Sequence, residues 1–175
     1  MPFLVAKHPV GLDEALLNFE RTIFQSGESH LSVQILGIWG TGGSGKTTLA
    51  KQLYNNKYKN MEKSGFLFNI RNDDSKSALH KKQQKLIEDL GLDGISIENI
   101  EEGKGILAYR LRSVWVLIVL DDVGNIDQMD ALVPDKDYLG EGSLIVVTTR
   151  KLDVLQCWNI SSIYKMKALD RVHAQ

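Results

Sequence analysis

The sequence is poor in several features that mark particular classes of protein. Cys157 is the single cysteine in 175 residues, so the chain forms no internal disulfide. The longest apolar run, residues 114–120, is far shorter than the roughly 20 residues that a membrane-spanning helix needs. Lysine and arginine total 21 against 22 acidic residues, a formal net charge of −1. This balance argues against nucleic acid or an anionic membrane as the main partner.

What remains is typical of a soluble globular protein, with 43% apolar and 25% charged residues in a length that suits one domain. The first residues lack the basic start and apolar stretch of a signal peptide. We therefore expect a cytoplasmic protein with no membrane span. Cys157 has no histidine or second cysteine nearby in the sequence, so we expect it to be a small buried residue rather than a reactive thiol.

The hydrophobic pattern alternates between short apolar runs and stretches with helical spacing. Strands are predicted at residues 33–39, 65–70, 114–120, 143–149 and 160–166. Helices are predicted at residues 13–27, 46–55, 78–90, 100–112 and 151–158, with glycines at 27 and 91 as stops. Strands that are apolar throughout and alternate with helices indicate an α/β fold, a mostly parallel five-stranded sheet covered on both faces. Ligands of such sheets bind beyond the carboxyl ends of the strands.

A glycine-rich loop follows the first predicted strand and opens a predicted helix. It fits the pattern of glycine, four residues, glycine, lysine and a hydroxyl residue that defines a phosphate loop. The residues expected to bind a nucleotide here are Gly40, Gly42, Gly43, Ser44, Gly45, Lys46, Thr47 and Thr48. Backbone amides would cradle phosphate oxygens, Lys46 would reach the β- and γ-phosphates, and the Thr47 hydroxyl would ligate Mg²⁺. A glycine-rich turn without a ligand is the alternative.

Two carboxylates end the apolar run that leads to Leu120. Asp121 is expected to hold the Mg²⁺, directly or through water, and Asp122 to orient or deprotonate an attacking water. Adjacent acids after a strand also cap helices or begin turns, which is the structural alternative. Another apolar strand ends in Thr148, Thr149 and Arg150. That arginine either faces the γ-phosphate or is a solvated residue that starts the next helix.

Together these segments resemble the NB-ARC family of plant intracellular immune receptors with leucine-rich repeats. The resemblance covers roughly residues 9 to 172. It rests on residues 36–50 around the phosphate loop, 120–123, 142–150, the second-strand segment 66–71, the segment 163–169, and Val10 with Gly11 ahead of the first helix. We accordingly divide the chain into an N-terminal lead-in segment (1–9), a P-loop NTPase subdomain (10–172) and a short tail (173–175).

This resemblance implies a function that composition alone does not. The family implies a three-layer P-loop NTPase fold, with the strand before Arg150 lying between the phosphate-loop strand and the Asp121 strand. It implies binding of ADP or ATP with Mg²⁺, a backbone contact near adenine at Val10 and Gly11, and a switch that rests with ADP and is activated with ATP. Hydrolysis would be slow, at most that of a weak Mg²⁺-dependent ATPase, with Asp122 and Arg150 in catalytic positions.

The sequence departs from the family pattern after Val123. The family carries tryptophan there in coiled-coil receptors or aspartate in Toll-like ones, whereas this chain has Gly124. Residues 69–71 and 11–13 resemble the Toll-like type. The subdomains that follow in the family would lie beyond Gln175, so we expect weaker nucleotide affinity than in a full receptor, no autonomous signalling, and a partly apolar surface where those subdomains dock.

Other functions are compatible with a phosphate loop. A small-molecule kinase would need an acceptor pocket and an arginine-rich lid, and residues 75–112 contain no arginine cluster before Arg110 and Arg112. An inactive receptor fragment and a bacterial regulatory ATPase are further alternatives.

Overall fold

The computed structural model describes residues 2–4, 14, 16–18, 20–21, 33–158 and 160–166. Its five strands are β1 (Gln34–Trp39), β2 (Lys63–Leu67), β3 (Val116–Val123), β4 (Leu144–Thr149) and β5 (Ser162–Lys165). Its helices within residues 33–166 are α1 (Lys46–Lys57), α2 (Lys76–Asp89), α3 (Ile100–Arg110), α4 (Ile126–Leu132) and α5 (Leu152–Gln156), with 3₁₀ turns at Tyr58–Asn60 and Ile70–Asn72.

The strands form one sheet in the order β2-β3-β4-β1-β5, and neighbouring strands pair in parallel. This confirms the α/β fold class predicted from the sequence. It also places β4, which leads to Arg150, between the phosphate-loop strand β1 and the Asp121 strand β3, as the family resemblance implies. The carboxyl ends of β1, β3 and β4 therefore meet at one edge of the sheet.

Alternate residues of the central strands supply two separate cores. In β3, Ile118 and Leu120 pack with α2, α3, α4 and α5, whereas Leu117 and Val119 pack with α1 on the opposite face. Strand β4 is buried along its whole length. A strand buried on both faces has little freedom to shift its register, because a slip by one residue would exchange the two faces. The burial of β3 and β4 thus fixes where their polar ends lie.

The second and third strands each differ from their predicted boundaries by two residues at the start and three at the end, and β3 extends through both acids to Val123. The sequence predicts a strand over 65–70, but β2 begins at Lys63 and ends at Leu67. Asn69 has a left-handed backbone with φ 53, which turns the chain out of the sheet and into the 3₁₀ turn Ile70–Asn72. Asparagine adopts this conformation more readily than branched residues. Apolar residues such as Ile70 therefore continue the hydrophobic pattern beyond the end of the strand.

Local signals set the ends of α2. Ser75 caps its amino end by accepting a hydrogen bond from the Ala78 amide, so the helix begins two residues before the predicted start. Gly91 ends it with φ +73, and the Gly91 and Leu92 amides donate to the Glu88 and Ile87 carbonyls. This is the Schellman arrangement, which favours glycine at its left-handed position. The predicted stop at Gly91 is confirmed.

Helix α3 ends two residues before the predicted end, and it contains a glycine that packing requires. A Cβ on Gly103 would overlap the amide of the fully buried Gln83, which donates hydrogen bonds to the Ile100 and Ala131 carbonyls. The glycine lets Gln83 join α2 to both neighbouring helices. Gly105, by contrast, faces open space. One glycine of this helix is therefore a packing requirement and the other is not.

Helix α4 was not predicted from the sequence, and the expectation that Cys157 is buried is wrong. Helix α4 begins after Asn125, whose side chain accepts from the Gln128 amide, a capping signal that the sequence contains. The predicted helix at 151–158 is shorter, Leu152–Gln156, and buries Val154 and Leu155. Cys157 follows the end of α5 and is exposed.

The amino-terminal part of the chain is described only in pieces. Residues 14, 16–18 and 20–21 are helical, in agreement with the predicted helix over 13–27, whose other residues lie outside the described residues. Phe3 exchanges two backbone hydrogen bonds with the Asn55 side chain and packs against Tyr54 and Phe66. Within the described part of the chain, every helix is too short or too polar to traverse a bilayer.

Candidate functional site

The phosphate loop, residues 40–47, joins β1 to α1. Gly43 and Gly45 have φ values of +78 and +94, in the left-handed region that favours glycine. Gly40 and Gly42 lie at close contacts instead: a Cβ on Gly40 would lie 3.0 Å from Met166 Cβ, and one on Gly42 would lie 3.0 Å from the guanidinium carbon at the end of the Arg150 side chain. Backbone conformation therefore favours glycine at Gly43 and Gly45, and close packing favours it at Gly40 and Gly42.

The Lys46 ammonium group folds back onto its own loop. Its Nζ donates to the Gly40 carbonyl at 2.9 Å, to the Thr41 carbonyl at 2.7 Å and to Ser44 Oγ at 3.3 Å. Lys46 is only 7% exposed. Burial lowers the pKa of Lys46 and nearby Arg150 lowers it further, while Asp122 and Asp121 act in the opposite direction. A negatively charged ligand in the loop would favour the ammonium form.

Asp121 connects the loop to the two central strands. Its Oδ1 accepts hydrogen bonds from Thr47 Oγ1 at 2.8 Å and from Thr148 Oγ1 at 2.9 Å. The residue is buried, 2% exposed. The predicted pair Thr47 and Asp121 is therefore brought together by the structure, although the two residues are 74 positions apart in the sequence.

Asp122 lies beside Asp121 but points to two arginines. Arg150 Nε is 3.6 Å from Asp122 Oδ1, and Arg71 Nε is 3.3 Å from Asp122 Oδ2. The Asp122 backbone is left-handed, with φ 60, at an irregularity of the β3–β4 pairing, and its amide donates to Thr148 Oγ1. We call Asp121, Asp122, Arg71, Thr148 and Arg150 the acid cluster.

Arg71 is a residue of this cluster for which no site role was predicted from the sequence. Sequence position placed it at the end of a strand, where a solvated arginine is the ordinary expectation. Its ion pair with Asp122 depends on the turn at Ile70–Asn72, which the hydrophobic pattern does not predict. One signal in the sequence was Gly124, the position that departs from the family pattern. A Cβ on Gly124 would lie 2.9 Å from Arg71 Cγ, so this departure lies directly beside Arg71.

A cavity of about 370 Å³ lies between the phosphate loop and the acid cluster. Its lining residues are Gly42, Gly43, Gly45, Lys46, Thr47, Thr48, Asn69, Asp121, Asp122, Thr148 and Arg150. Of the predicted nucleotide-binding residues, Gly40 and Ser44 do not line the cavity. Gly40 packs on Met166, and the Ser44 side chain is buried within the loop. Val10 and Gly11 lie outside the described residues.

Sequence comparison with protein families matches the NB-ARC domain over residues 20–174. The chain belongs to the NB-ARC family. Among curated proteins, this NB-ARC chain is similar to the TMV resistance protein N of Nicotiana glutinosa, 37% identical over 167 residues. That match covers 91% of this chain and 14% of the relative.

A second relative has a similar relation to this NB-ARC domain. The disease resistance protein RUN1 of Vitis rotundifolia is 35% identical over 140 residues, a match that covers 79% of this chain and 10% of RUN1. The chain therefore spans a small part of the length of both relatives. The functions of the two full-length resistance proteins are properties of those proteins.

Among solved structures, the NB-ARC chain is similar in fold to the crystal structure of Cdc6p from Pyrobaculum aerophilum. The TM-score is 0.63 at 17% sequence identity, and the match covers 95% of this chain and 48% of the Cdc6p chain. Identity this low supports the shared fold and nothing about function. The match supports the α/β fold with a parallel central sheet that the strand pattern predicted.

Proposed function

We propose that this chain is the nucleotide-binding module of an intracellular plant immune receptor, which binds ADP or ATP with Mg²⁺ and acts as a nucleotide-dependent switch. The observation that carries the proposal is the hydrogen bond from Thr47 Oγ1 to Asp121 Oδ1, which joins the phosphate loop to the acidic end of β3. Thr47 and Asp121 also both line the cavity, which supports their proposed role as metal ligands. Membership in the NB-ARC family and relatives named as disease resistance proteins support the proposal.

The residues present fit a magnesium ion that is shared with a nucleotide. Among the described residues, no group of three or more histidine, cysteine or acidic side chains could hold a metal. Mg²⁺ keeps several waters and is commonly bound through one or two protein oxygens plus substrate phosphates. The Thr47 hydroxyl and the Asp121 carboxylate supply that small donor set. When bound, the ion would neutralise phosphate charge, while this chain's loop amides and Lys46 hold the phosphates.

The acid cluster supplies the residues that would distinguish the two nucleotides. Arg150 contacts the loop at Gly42 and lines the cavity with Lys46, so it is placed to reach a terminal phosphate. Asp122 lines the same cavity and is placed to orient a water. A ligand shifts a switch only by the difference in its affinity for the two states. We propose that Arg150 provides the difference in affinity between ATP and ADP. We expect hydrolysis of ATP to be slow.

Membership in the family supports a proposal about the wider setting. We place the protein in the cytoplasm, with the adjoining NB-ARC subdomains and leucine-rich repeats of the parent receptor as partners. We also assign the chain to the Toll-like subclass, from residues 69–71 and 11–13. Val10 and Gly11 are proposed to contact the adenine through their backbone.

Nucleotide titration tests the proposal directly. The chain is titrated with ADP and with ATP, each with Mg²⁺ and with excess chelator. Lys46→Ala should weaken binding by about 10- to 100-fold, because a charge-assisted hydrogen bond contributes ~1.5–3 kcal/mol. Lys59→Ala, an exposed lysine just beyond α1, is the matched control and should leave the affinity unchanged. Equal affinity of a folded Lys46→Ala protein would contradict the proposal.

Asp121→Asn separates the metal from the phosphate contribution. The variant should lose affinity when Mg²⁺ is present and should bind no more weakly than the unmodified chain under chelation, because a negative charge near the phosphates is removed. A phosphate-release assay with and without small-molecule acceptors completes the test. Phosphate transfer that depends on an acceptor would favour a kinase over a switch.

A further inference from the structure

The turn that follows β2 places Arg71 against the acidic end of β3. After Leu67 the left-handed Asn69, with φ 53, redirects the backbone into the 3₁₀ turn Ile70–Asn72. Arg71 Nε then lies 3.3 Å from Asp122 Oδ2. The Arg71 side chain is 43% exposed and that of Asp122 is 15% exposed, so the pair is partly shielded from solvent.

Two further contacts hold this turn in place. Gln128, 1% exposed, accepts from the Gly124 amide at 2.7 Å and donates to the Ile70 carbonyl at 2.9 Å. One buried side chain thus joins the end of β3 to the Arg71 turn. A Cβ on Gly124 would lie 2.9 Å from Arg71 Cγ and 3.3 Å from Arg71 Cα, so glycine permits the close approach. Arg71 is therefore held in position by the fold and not by its ion pair alone.

Asp122 is shared between two cations with different surroundings. Arg71 is tied to the turn beside Gly124, away from the phosphate loop. Arg150 reaches Asp122 Oδ1 at 3.6 Å and also packs against Gly42 of the loop. A terminal phosphate in the cavity would compete with Asp122 for Arg150, but Arg71, which is absent from the cavity lining, would remain with the carboxylate. A partly buried carboxylate that loses its last cation is destabilised.

We infer that Arg71 is a positioning residue that keeps Asp122 paired when Arg150 turns to the terminal phosphate of a nucleoside triphosphate. This inference rests on the proposed function of the site. Without Arg71, recruiting Arg150 would leave Asp122 unpaired beside the added phosphate charge. A nucleoside diphosphate has no terminal γ-phosphate to draw Arg150 away, so Asp122 would keep Arg150 as a partner. Arg71 therefore favours triphosphate over diphosphate by acting through Asp122, without contact to the nucleotide.

The test measures the dissociation constants of Mg²⁺–ADP and of a non-hydrolysable β,γ-imido analogue of ATP. Arg71→Ala should raise the ratio of the analogue's Kd to the ADP Kd by about three- to tenfold, the range for a partly shielded ion pair. Arg71→Lys should restore most of the ratio because it keeps the charge. Arg112, an exposed arginine shortly before the amino end of β3, provides the matched control. Arg112→Ala should leave the ratio unchanged.

A double-mutant cycle shows whether Arg71 acts through Asp122. In an Asp122→Asn background, Arg71→Ala should no longer change the ratio. Gly124→Ala displaces Arg71 by the close contact described above and should raise the ratio in the same direction, which keeps the inference testable if Arg71→Ala does not fold. An unchanged ratio in both variants would overturn the inference, as would an effect of Arg71→Ala that persists in Asp122→Asn.

Failure of the inference and failure of the proposed function give different results. If the unmodified chain binds neither nucleotide, the proposed function is wrong. If it binds both, loses both with Lys46→Ala, and shows a ratio insensitive to Arg71, only the role of Arg71 is wrong.

Discussion

The phosphate loop and the acid cluster both contribute to the lining of one cavity, but they are assembled differently. The polar contacts of Lys46 stay within the loop, with partners two to six residues away in the sequence. The acid cluster joins residues that are 51 positions apart in the Arg71–Asp122 pair and 27 apart in the Thr148–Asp121 pair. Local sequence therefore builds the loop, whereas the packing of the sheet and of α4 builds the cluster. Each should respond to a different kind of mutation.

The largest effect is expected at Gln128, which supports the acid cluster from outside the cavity. Gln128→Leu leaves the Gly124 amide and the Ile70 carbonyl without their partner, at a cost of ~1–3 kcal/mol for each buried group. We expect the free energy of unfolding to fall by about 2–4 kcal/mol in urea denaturation. Gln52→Ala, on the outer part of α1, should change it by less than ~0.5 kcal/mol.

The same variant sharpens the comparison between the two regions. At a temperature where Gln128→Leu stays folded, the Kd for ADP without Mg²⁺ should remain within about threefold of that of the unmodified chain. A threefold change in Kd corresponds to ~0.7 kcal/mol. The ratio of the triphosphate analogue's Kd to the ADP Kd should rise, because Gln128 holds the turn that carries Arg71. If ADP binding weakened as much as that ratio rose, the two regions would not be separate units.

A medium effect is expected from the loop's own backbone. Gly43 and Gly105 both face open space, but only Gly43 has a positive φ. Gly43→Ala should lower the free energy of unfolding by ~1–2 kcal/mol, the cost of a left-handed backbone for alanine. Gly105→Ala, within α3, should raise it by ~0.5–1 kcal/mol because alanine favours the helix. A neutral Gly43→Ala would show that the loop conformation is not what requires glycine there.

The smallest effect is expected at Cys157, which lies in neither region. Because Cys157 is exposed, Cys157→Ser should change the free energy of unfolding by less than ~0.5 kcal/mol. The thiol should be alkylated in the folded protein at a rate close to that in the unfolded chain. Slow alkylation of the native protein would return Cys157 to the buried position that the sequence suggested.

Sequence reasoning succeeded where the signal was local. The loop glycines, the stop at Gly91 and the apolar β3 and β4 each depend on residues close together in the chain. It did not succeed where a distant contact decides the structure: Arg71 and Gln128 have roles only because β2, β3 and α4 meet. The end of β2 was predicted three residues too late, since Phe68 and Ile70 are apolar for packing outside the sheet.

By itself, the sequence determined that the chain has a phosphate loop, two acids at the end of an apolar strand and a parallel sheet, because conformational preferences and hydrophobic periodicity act over a few residues. The tertiary structure decided which charges meet. Strand order brings β4 between β1 and β3, so that Thr148 and Arg150 reach the two acids, and the turn after β2 adds Arg71. Such pairings depend on the packing of separate elements, which no single stretch of sequence specifies.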